Sequence, residues 1–179
     1  MVRVFAYGSN LCLERLLART PTARALATVT LAGHALRWHK RSIDGSGKCD
    51  AIATDAGSDV VWGVVYELTP ADKLVLDGFE GLGHDYFEKV VRVRTRDDVA
   101  LEAVAYVANP RLLDETVKPW NWYKGFVVTG AAQHGLPPSY RAVLEAIEAV
   151  DDPDAGRHCR EWSVLESALR TLQAVSTGR

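Results

Sequence analysis

No stretch of this chain approaches the roughly 18 apolar residues that a membrane-spanning helix needs, so the sequence offers no transmembrane segment. Cysteine is scarce. Cys12, Cys49 and Cys159 stand far apart with no C-x-x-C pair, which argues against a disulfide framework or a zinc knuckle and fits a reducing compartment. The five histidines are scattered, and the spacing of His34, His39 and Cys49 matches no standard zinc pattern, so no metal site is expected. Charge of one sign is missing too. A formal net charge of −2 and a pI near 6.2 give no electrostatic case for nucleic acid or an anionic membrane as the main partner. The first residues lack a basic n-region followed by an apolar h-region, and a cytoplasmic protein is the expectation. No G-x-S-x-G elbow, P-loop, dinucleotide fingerprint, H-E-x-x-H or EF-hand loop occurs, which removes the most easily recognised enzyme classes.

With 47% hydrophobic and 25% charged residues, 179 residues suffice for one sizeable core, and a single domain spanning 1–179 is expected. The chain opens with a strand-like run, Val2 to Tyr7, breaks at Gly8-Ser9-Asn10 and turns helical from Leu11, with Leu13, Leu16 and Leu17 on the pattern. A helix starting there leaves its first N–H groups unpaired at the positive end of its dipole, which suits an anion or a polarised carbonyl. Gly8 is free to take φ > 0 and lets a ligand approach the backbone, while Ser9 and Asn10 are good N-caps. An ordinary capped turn between strand and helix is the competing reading.

Leu26 to Arg41 reads as extended with a bend at Gly33-His34, and Asp44-Gly45-Ser46-Gly47 as a turn. Arg37-Trp38-His39-Lys40-Arg41 mixes basic and aromatic residues that could grip a polyanion; a strand with long charged side chains over a solvated face explains five residues more simply. Ala51 to Ala53 is a short strand, and Val60 to Leu68 is apolar on both parities, as in a strand covered on both faces. Thr69-Pro70 opens a helix that carries Leu74, Val75 and Leu76 and ends near Gly78 or Gly81, with Glu80 at the frayed end. Tyr86 to Thr95 alternates, Phe87, Val91 and Val93 sharing a face, and turns at Arg96-Asp97-Asp98 into Leu101 to Val107. The remainder reads as helical: Trp120 to Ala132, then a stripe of Tyr140, Val143, Leu144, Ile147 and Val150 after Pro137-Pro138. Beyond an Asp151-to-Asp154 linker comes a last helix with Trp162, Leu165, Leu169 and Leu172 on one face; too poor in apolar residues to make a core of its own, it should pack on the main body.

The segment Leu76-Asp77-Gly78-Phe79-Glu80-Gly81 sets a carboxylate between glycines, next to an aromatic and just before a strand. Such a backbone can turn Glu80 inward to act as a general base or acid. An exposed glutamate in a loop is the alternative.

Taken together, Phe5-Ala6-Tyr7-Gly8-Ser9-Asn10-Leu11 and Leu76-Asp77-Gly78-Phe79-Glu80-Gly81 resemble the γ-glutamylcyclotransferase family. Val61-Trp62-Gly63-Val64-Val65-Tyr66, Ala105-Tyr106, and Tyr123 followed by Gly135-Leu136-Pro137 look like further parts of it, so that the resemblance covers about residues 2–150. It implies a mixed α/β (α+β) fold around a small barrel-like sheet with flanking helices, the glycine turn and the glutamate lying at one mouth. It implies a cyclotransferase that closes 5-oxoproline from γ-glutamyl amino acids or γ-glutamyl amines, with no cofactor or metal. By resemblance Glu80 is the catalytic acid/base, Tyr7, Gly8, Ser9, Asn10 and Leu11 form the substrate-binding loop, and Tyr86 and Tyr123 lie near the pocket. The same loop on a non-catalytic module for a small carboxylate is the alternative. The helical extension at about 153–179 exceeds the shared core and is available to cover part of the surface or to join two copies as a homodimer.

Overall fold

A computed structural model describes residues 1–54 and 56–177. Five strands close into a barrel in the order β1 (Val2–Ala6), β4, β2, β5, β6, where β2 is Arg24–Ala32, β4 is Val60–Leu68, β5 is Tyr86–Thr95 and β6 is Ala100–Ala108. Outside the barrel, β3 (His34–Arg41) and β3′ (Gly47–Ala53) pair antiparallel as a two-stranded ribbon. Neighbouring barrel strands run antiparallel except at the closure, where β1 meets β6 in parallel at Val4 and Val104. The mixed fold with a barrel-like sheet and flanking helices is therefore as expected.

The extended segment from Leu26 to Arg41 is broken at Gly33, whose φ of 65° turns the chain out of the barrel and into the β3–β3′ ribbon. Val61, Val64, Val65, Tyr66 and Leu68 of β4 are all buried, which accounts for the apolar residues on both parities. In β5 the expected face is only half right. Val91 and Val93 are buried, but Phe87 is exposed and Tyr86, of the opposite parity, turns in.

Helix α1 (Leu13–Arg19) follows a single 3-10 turn, Ser9–Leu11, and α2 (Pro70–Glu80) follows Thr69, whose hydroxyl accepts the Asp72 N–H at 3.2 Å. The end of α2 is sharply defined, contrary to the frayed terminus expected. Gly81 adopts φ 60°, its N–H returns to Gly78, and the Leu82 N–H reaches the Asp77 carbonyl, the reciprocal pattern that stops a helix at a left-handed glycine. Glu80 is thereby the last helical residue.

The C-terminal half holds α3 (Asn121–Gln133), α4 (Pro138–Ala146) and α5 (Ala155–Thr177), preceded by a 3-10 turn at Pro110–Leu112. The stripe expected to continue to Val150 stops earlier: Ile147 is extended and Val150 bridges to Trp120. Leu165 and Ala168 of α5 are buried, and a Cβ on Gly125 would meet Leu165 at 2.4 Å, so α3 and α5 touch through an absent side chain. Asp152 accepts from Trp122 Nε1 at 2.8 Å and from Arg157 through two bonds, tying the linker to both helices. Among the described residues no helix is long and apolar enough to cross a membrane.

Candidate active site

A cavity of about 370 Å³, mouth included, opens beside the end of β1 and is walled by Tyr7, Gly8, Ser9, Asn10, Cys49, Glu80, Tyr86, Tyr106 and Tyr123, with Val4, Phe5 and Ala6 behind them. Six elements far apart in sequence bring these residues together, β3′ supplying Cys49. The loop after β1 supplies Tyr7 to Asn10, α2 supplies Glu80, β5 and β6 supply Tyr86 and Tyr106, and α3 supplies Tyr123.

The loop differs from the capped helix start expected of it. No side chain caps the 3-10 turn, Leu11 N–H returns to the Gly8 carbonyl at 2.9 Å, and α1 begins only at Leu13. Gly8 has φ −109°, so its glycine is required by space and not by a left-handed backbone. An added Cβ would lie 3.1 Å from Cys49 Cβ and 3.2 Å from the Tyr123 hydroxyl. Among the described residues the Gly8, Ser9 and Asn10 N–H groups have no backbone or side-chain acceptor, which leaves three donors at the cavity wall. Leu11 belongs to the core instead. It is fully buried, lies off the cavity, and its carbonyl accepts the Tyr66 hydroxyl at 3.0 Å.

Glu80 enters from the C-terminal end of α2. Its Oε1 accepts from Asn10 Nδ2 at 2.9 Å and lies 3.4 Å from Arg19 Nη1, which also donates to Asn10 Oδ1 at 3.0 Å. The glycine turn and the glutamate therefore meet directly. Arg19 went unnoticed in the sequence, where nothing beyond its position four residues after Arg15 on one helix face could have signalled it.

The four cavity tyrosines are not equivalent. Tyr7 donates to the Tyr106 carbonyl, Tyr86 to the Cys49 carbonyl at 2.9 Å, and Tyr106 to Asp77 Oδ1 at 2.6 Å. Each phenol has one proton, so these three have committed theirs. Tyr123 instead accepts the Cys49 N–H at 3.0 Å, and its own hydroxyl proton faces the Cys49 thiol. Burial pushes Tyr7, Tyr86, Tyr106 and Tyr123 well above the usual phenol range, with Asp50 adding for Tyr7, Tyr123 for Tyr86, Asp77 for Tyr106 and Cys49 for Tyr123. Burial likewise lifts the Cys49 thiol to about 12, so it stays protonated against the cavity. Neither Tyr106 nor Cys49 was named as a site residue from sequence: Tyr106 entered only as part of a strand, and Cys49 lay outside the expected Ala51–Ala53 strand, which in the structure begins at Gly47.

The basic patch at 37–41 is split by the fold. Arg37 and Arg41 are exposed, as a solvated face requires, but His39 and Lys40 are buried. His39 lies between Asp50 (3.2 Å) and Glu115 (2.6 Å), and Lys40 holds Asp85 at 2.6 Å over the Tyr86 ring. These two bases are thus part of the wall behind the cavity. Among the described residues no group of three or more His, Cys, Asp or Glu side chains is arranged to hold a metal ion.

Comparison with known proteins places this geometry. The family model described as the AIG2-like family matches residues 60–144. Over 158 residues the chain is 31% identical to the γ-glutamylcyclotransferase of Mus musculus, covering 80% of this chain and 77% of that protein. The Homo sapiens γ-glutamylcyclotransferase is 32% identical over 152 residues, covering 82% and 79%. Among solved structures, one described as a gamma-glutamyl cyclotransferase superimposes with a TM-score of 0.80 at 26% identity, over 93% of this chain and 98% of that one. A protein from Homo sapiens solved as uncharacterized superimposes at 0.76 with 29% identity, over 84% and 89%.

Proposed function

We propose that this chain, which belongs to the γ-glutamylcyclotransferase family and is a cyclotransferase, releases 5-oxoproline from γ-glutamyl amino acids or γ-glutamyl amines. The α-amine of the bound γ-glutamyl group attacks its own γ-carbonyl carbon. A C–N bond forms and closes the five-membered ring, the bond from that carbon to the attached nitrogen breaks, and the amine or amino acid leaves. Glu80 takes one ammonium proton before or during attack, the ring nitrogen gives up a second after it, and both pass to the leaving nitrogen, which departs as an ammonium group, so the carboxylate is regenerated and no water is consumed.

The observation that carries this reading is the 2.9 Å contact between Asn10 and Glu80, which sets the proton carrier beside three free backbone donors of one loop. Those N–H groups are suited to the oxyanion of the tetrahedral intermediate or to the substrate's carboxylate. Tyr123, whose hydroxyl oxygen lies 3.2 Å from where a Gly8 Cβ would stand, is the side chain we assign to join them. The nucleophile is tethered to its electrophile, so the site's main task is to fold the glutamyl chain into attacking geometry. Nothing in this scheme draws on a metal or a cofactor.

The test is incubation of the purified protein with a panel of γ-glutamyl amino acids and γ-glutamyl amines, detecting 5-oxoproline, beside Glu80→Gln. The amide keeps the shape and loses the proton acceptor, so turnover is expected to fall by at least about a hundredfold. A fully active Glu80→Gln protein would remove Glu80 from the mechanism.

A further inference from the structure

We propose that Arg19 and Asn10 form a latch that sets the direction of the Glu80 carboxylate, which makes Arg19 a positioning residue for the reaction and not a substrate contact. This rests on the reaction assigned above to the same site.

Arg15 and Arg19 are four apart on α1, so both guanidinium groups leave one face of the helix. That face looks at the loop after β1. Arg15 is spent there: its Nε donates to Ser9 Oγ at 3.2 Å, its Nη1 pairs with Glu161, and it lies 4.4 Å from the centre of the Phe126 ring. Arg19 is spent in the same way on the other half of the site. Its Nη1 reaches Asn10 Oδ1 at 3.0 Å and Glu80 Oε1 at 3.4 Å, and Asn10 Nδ2 closes the triangle to the same Oε1 at 2.9 Å. Neither arginine lines the cavity.

The triangle has one consistent orientation. Turning the Asn10 amide over would face its NH₂ to the guanidinium and its carbonyl to the carboxylate, two repulsions in place of two attractions. Arg19 therefore fixes Asn10, and the two together fix Oε1. Among the described residues Oε2 has no partner, and it is the oxygen left for proton transfer. Arg19 also lies 4.8 Å from the centre of the Phe79 ring, so it grips the residue before Glu80 as well as Glu80 itself.

Charge supports the geometry. The groups whose charges couple to Glu80 are Arg19 on α1, Tyr7 after β1, Tyr86 on β5, Tyr106 on β6 and Tyr123 on α3. Arg19 is the cation among them. Burial, and next the charge of Arg15, lowers it to about 10, which leaves it fully cationic at neutral pH. It therefore offers Glu80 Oε1 a fixed positive charge at 3.4 Å.

A double-mutant cycle of Arg19→Met and Glu80→Gln tests the latch, with γ-glutamyl-alanine as substrate and thermal unfolding as a second readout. Arg19→Met should lower kcat by about ten- to a hundredfold with KM changed by less than about threefold. Arg19→Lys should restore only part of kcat, because an ammonium cannot reproduce the planar fork. The loss of Tm caused by Arg19→Met should shrink when position 80 already carries glutamine. A raised KM at unchanged kcat would make Arg19 a substrate contact and overturn the proposal, as would equal Tm losses in both backgrounds. If the wild-type protein cyclises no γ-glutamyl compound, the reaction reading fails by itself, and the melting cycle still decides whether Arg19 and Glu80 act as a unit.

Discussion

Glu161 on α5 pairs with Arg15 on α1, and the same guanidinium donates to Ser9 Oγ at 3.2 Å. The C-terminal helix thereby reaches the loop that forms one wall of the cavity, through a single buried side chain. Replacing Glu161 by alanine leaves the Arg15 charge with Ser9 and two aromatic rings as its remaining partners. Full burial would put the cost of breaking such a pair at about 3–5 kcal/mol. Glu161 is 27% exposed, so water screens part of that, and about 1–2 kcal/mol is expected. Denaturant unfolding with an unchanged m-value measures it; a variant as stable as wild type would mean that α5 does not brace the loop.

Gly8→Ala tests how tightly the cavity is closed around the loop. The new methyl needs Cys49 and Tyr123 to yield by a few tenths of an ångström, and neither has slack: Cys49 is buried and its N–H is bonded to the Tyr123 hydroxyl. A stability loss of about 1–3 kcal/mol is expected for such overpacking. Because the displaced hydroxyl belongs to the candidate substrate donor, 5-oxoproline release should drop by more than the unfolded fraction explains. Wild-type turnover in Gly8→Ala would show that substrate does not approach here.

The cavity tyrosines predict behaviour in alkali. Each phenol ionises near 10.0 when unfolded, and burial raises all four in the folded protein. An acid whose folded value is raised contributes stability that is fully present below the unfolded value and is lost as pH climbs above it. The folded protein should therefore be unaffected by these groups up to about pH 9 and destabilised above about pH 10. Ultraviolet absorbance of phenolate should rise together with loss of circular dichroism, as one cooperative step. Gradual ionisation of these four tyrosines in a still folded protein would contradict their burial.

Asp152 predicts the acid side. Burial alone would raise this carboxyl, but its bonds from Arg157 and Trp122 outweigh that and bring it from 3.8 to about 2. A depressed carboxylate contributes stability above its unfolded value and loses it as pH falls toward the folded one. The window is thus about pH 4 down to pH 2, over which about 2 kcal/mol should disappear. Asp152→Asn should be less stable than wild type at pH 7 and lose less on acidification, measured by unfolding at each pH. Equal acid sensitivity of the two proteins would refute the assignment.

Much of this architecture was written locally. Thr69-Pro70 announced α2, Asp97-Asp98 the hairpin, and the two apolar parities of Val60–Leu68 a strand buried on both faces, because caps, turns and alternation act over a few residues. The loop Tyr7 to Asn10 and Glu80 were equally legible as candidates. Phe87 was misplaced because period alone does not say where a curved barrel strand ends its inward face. Leu11 was misplaced because a single 3-10 turn delays α1 and rolls that side chain into the core.

What the sequence by itself determined is the set of elements and the two short strings proposed to carry the chemistry. What only the tertiary structure decided is their meeting: the 2.9 Å bond from Asn10 to Glu80 across 70 residues, the Arg19 that closes it, and the placing of the Tyr123 hydroxyl against Cys49 and the Gly8 turn. The physical reason is range. Propensity and capping are settled by neighbours in the chain, whereas a hydrogen-bond partner for a buried group is settled by whichever element barrel closure brings beside it, and no local pattern records that.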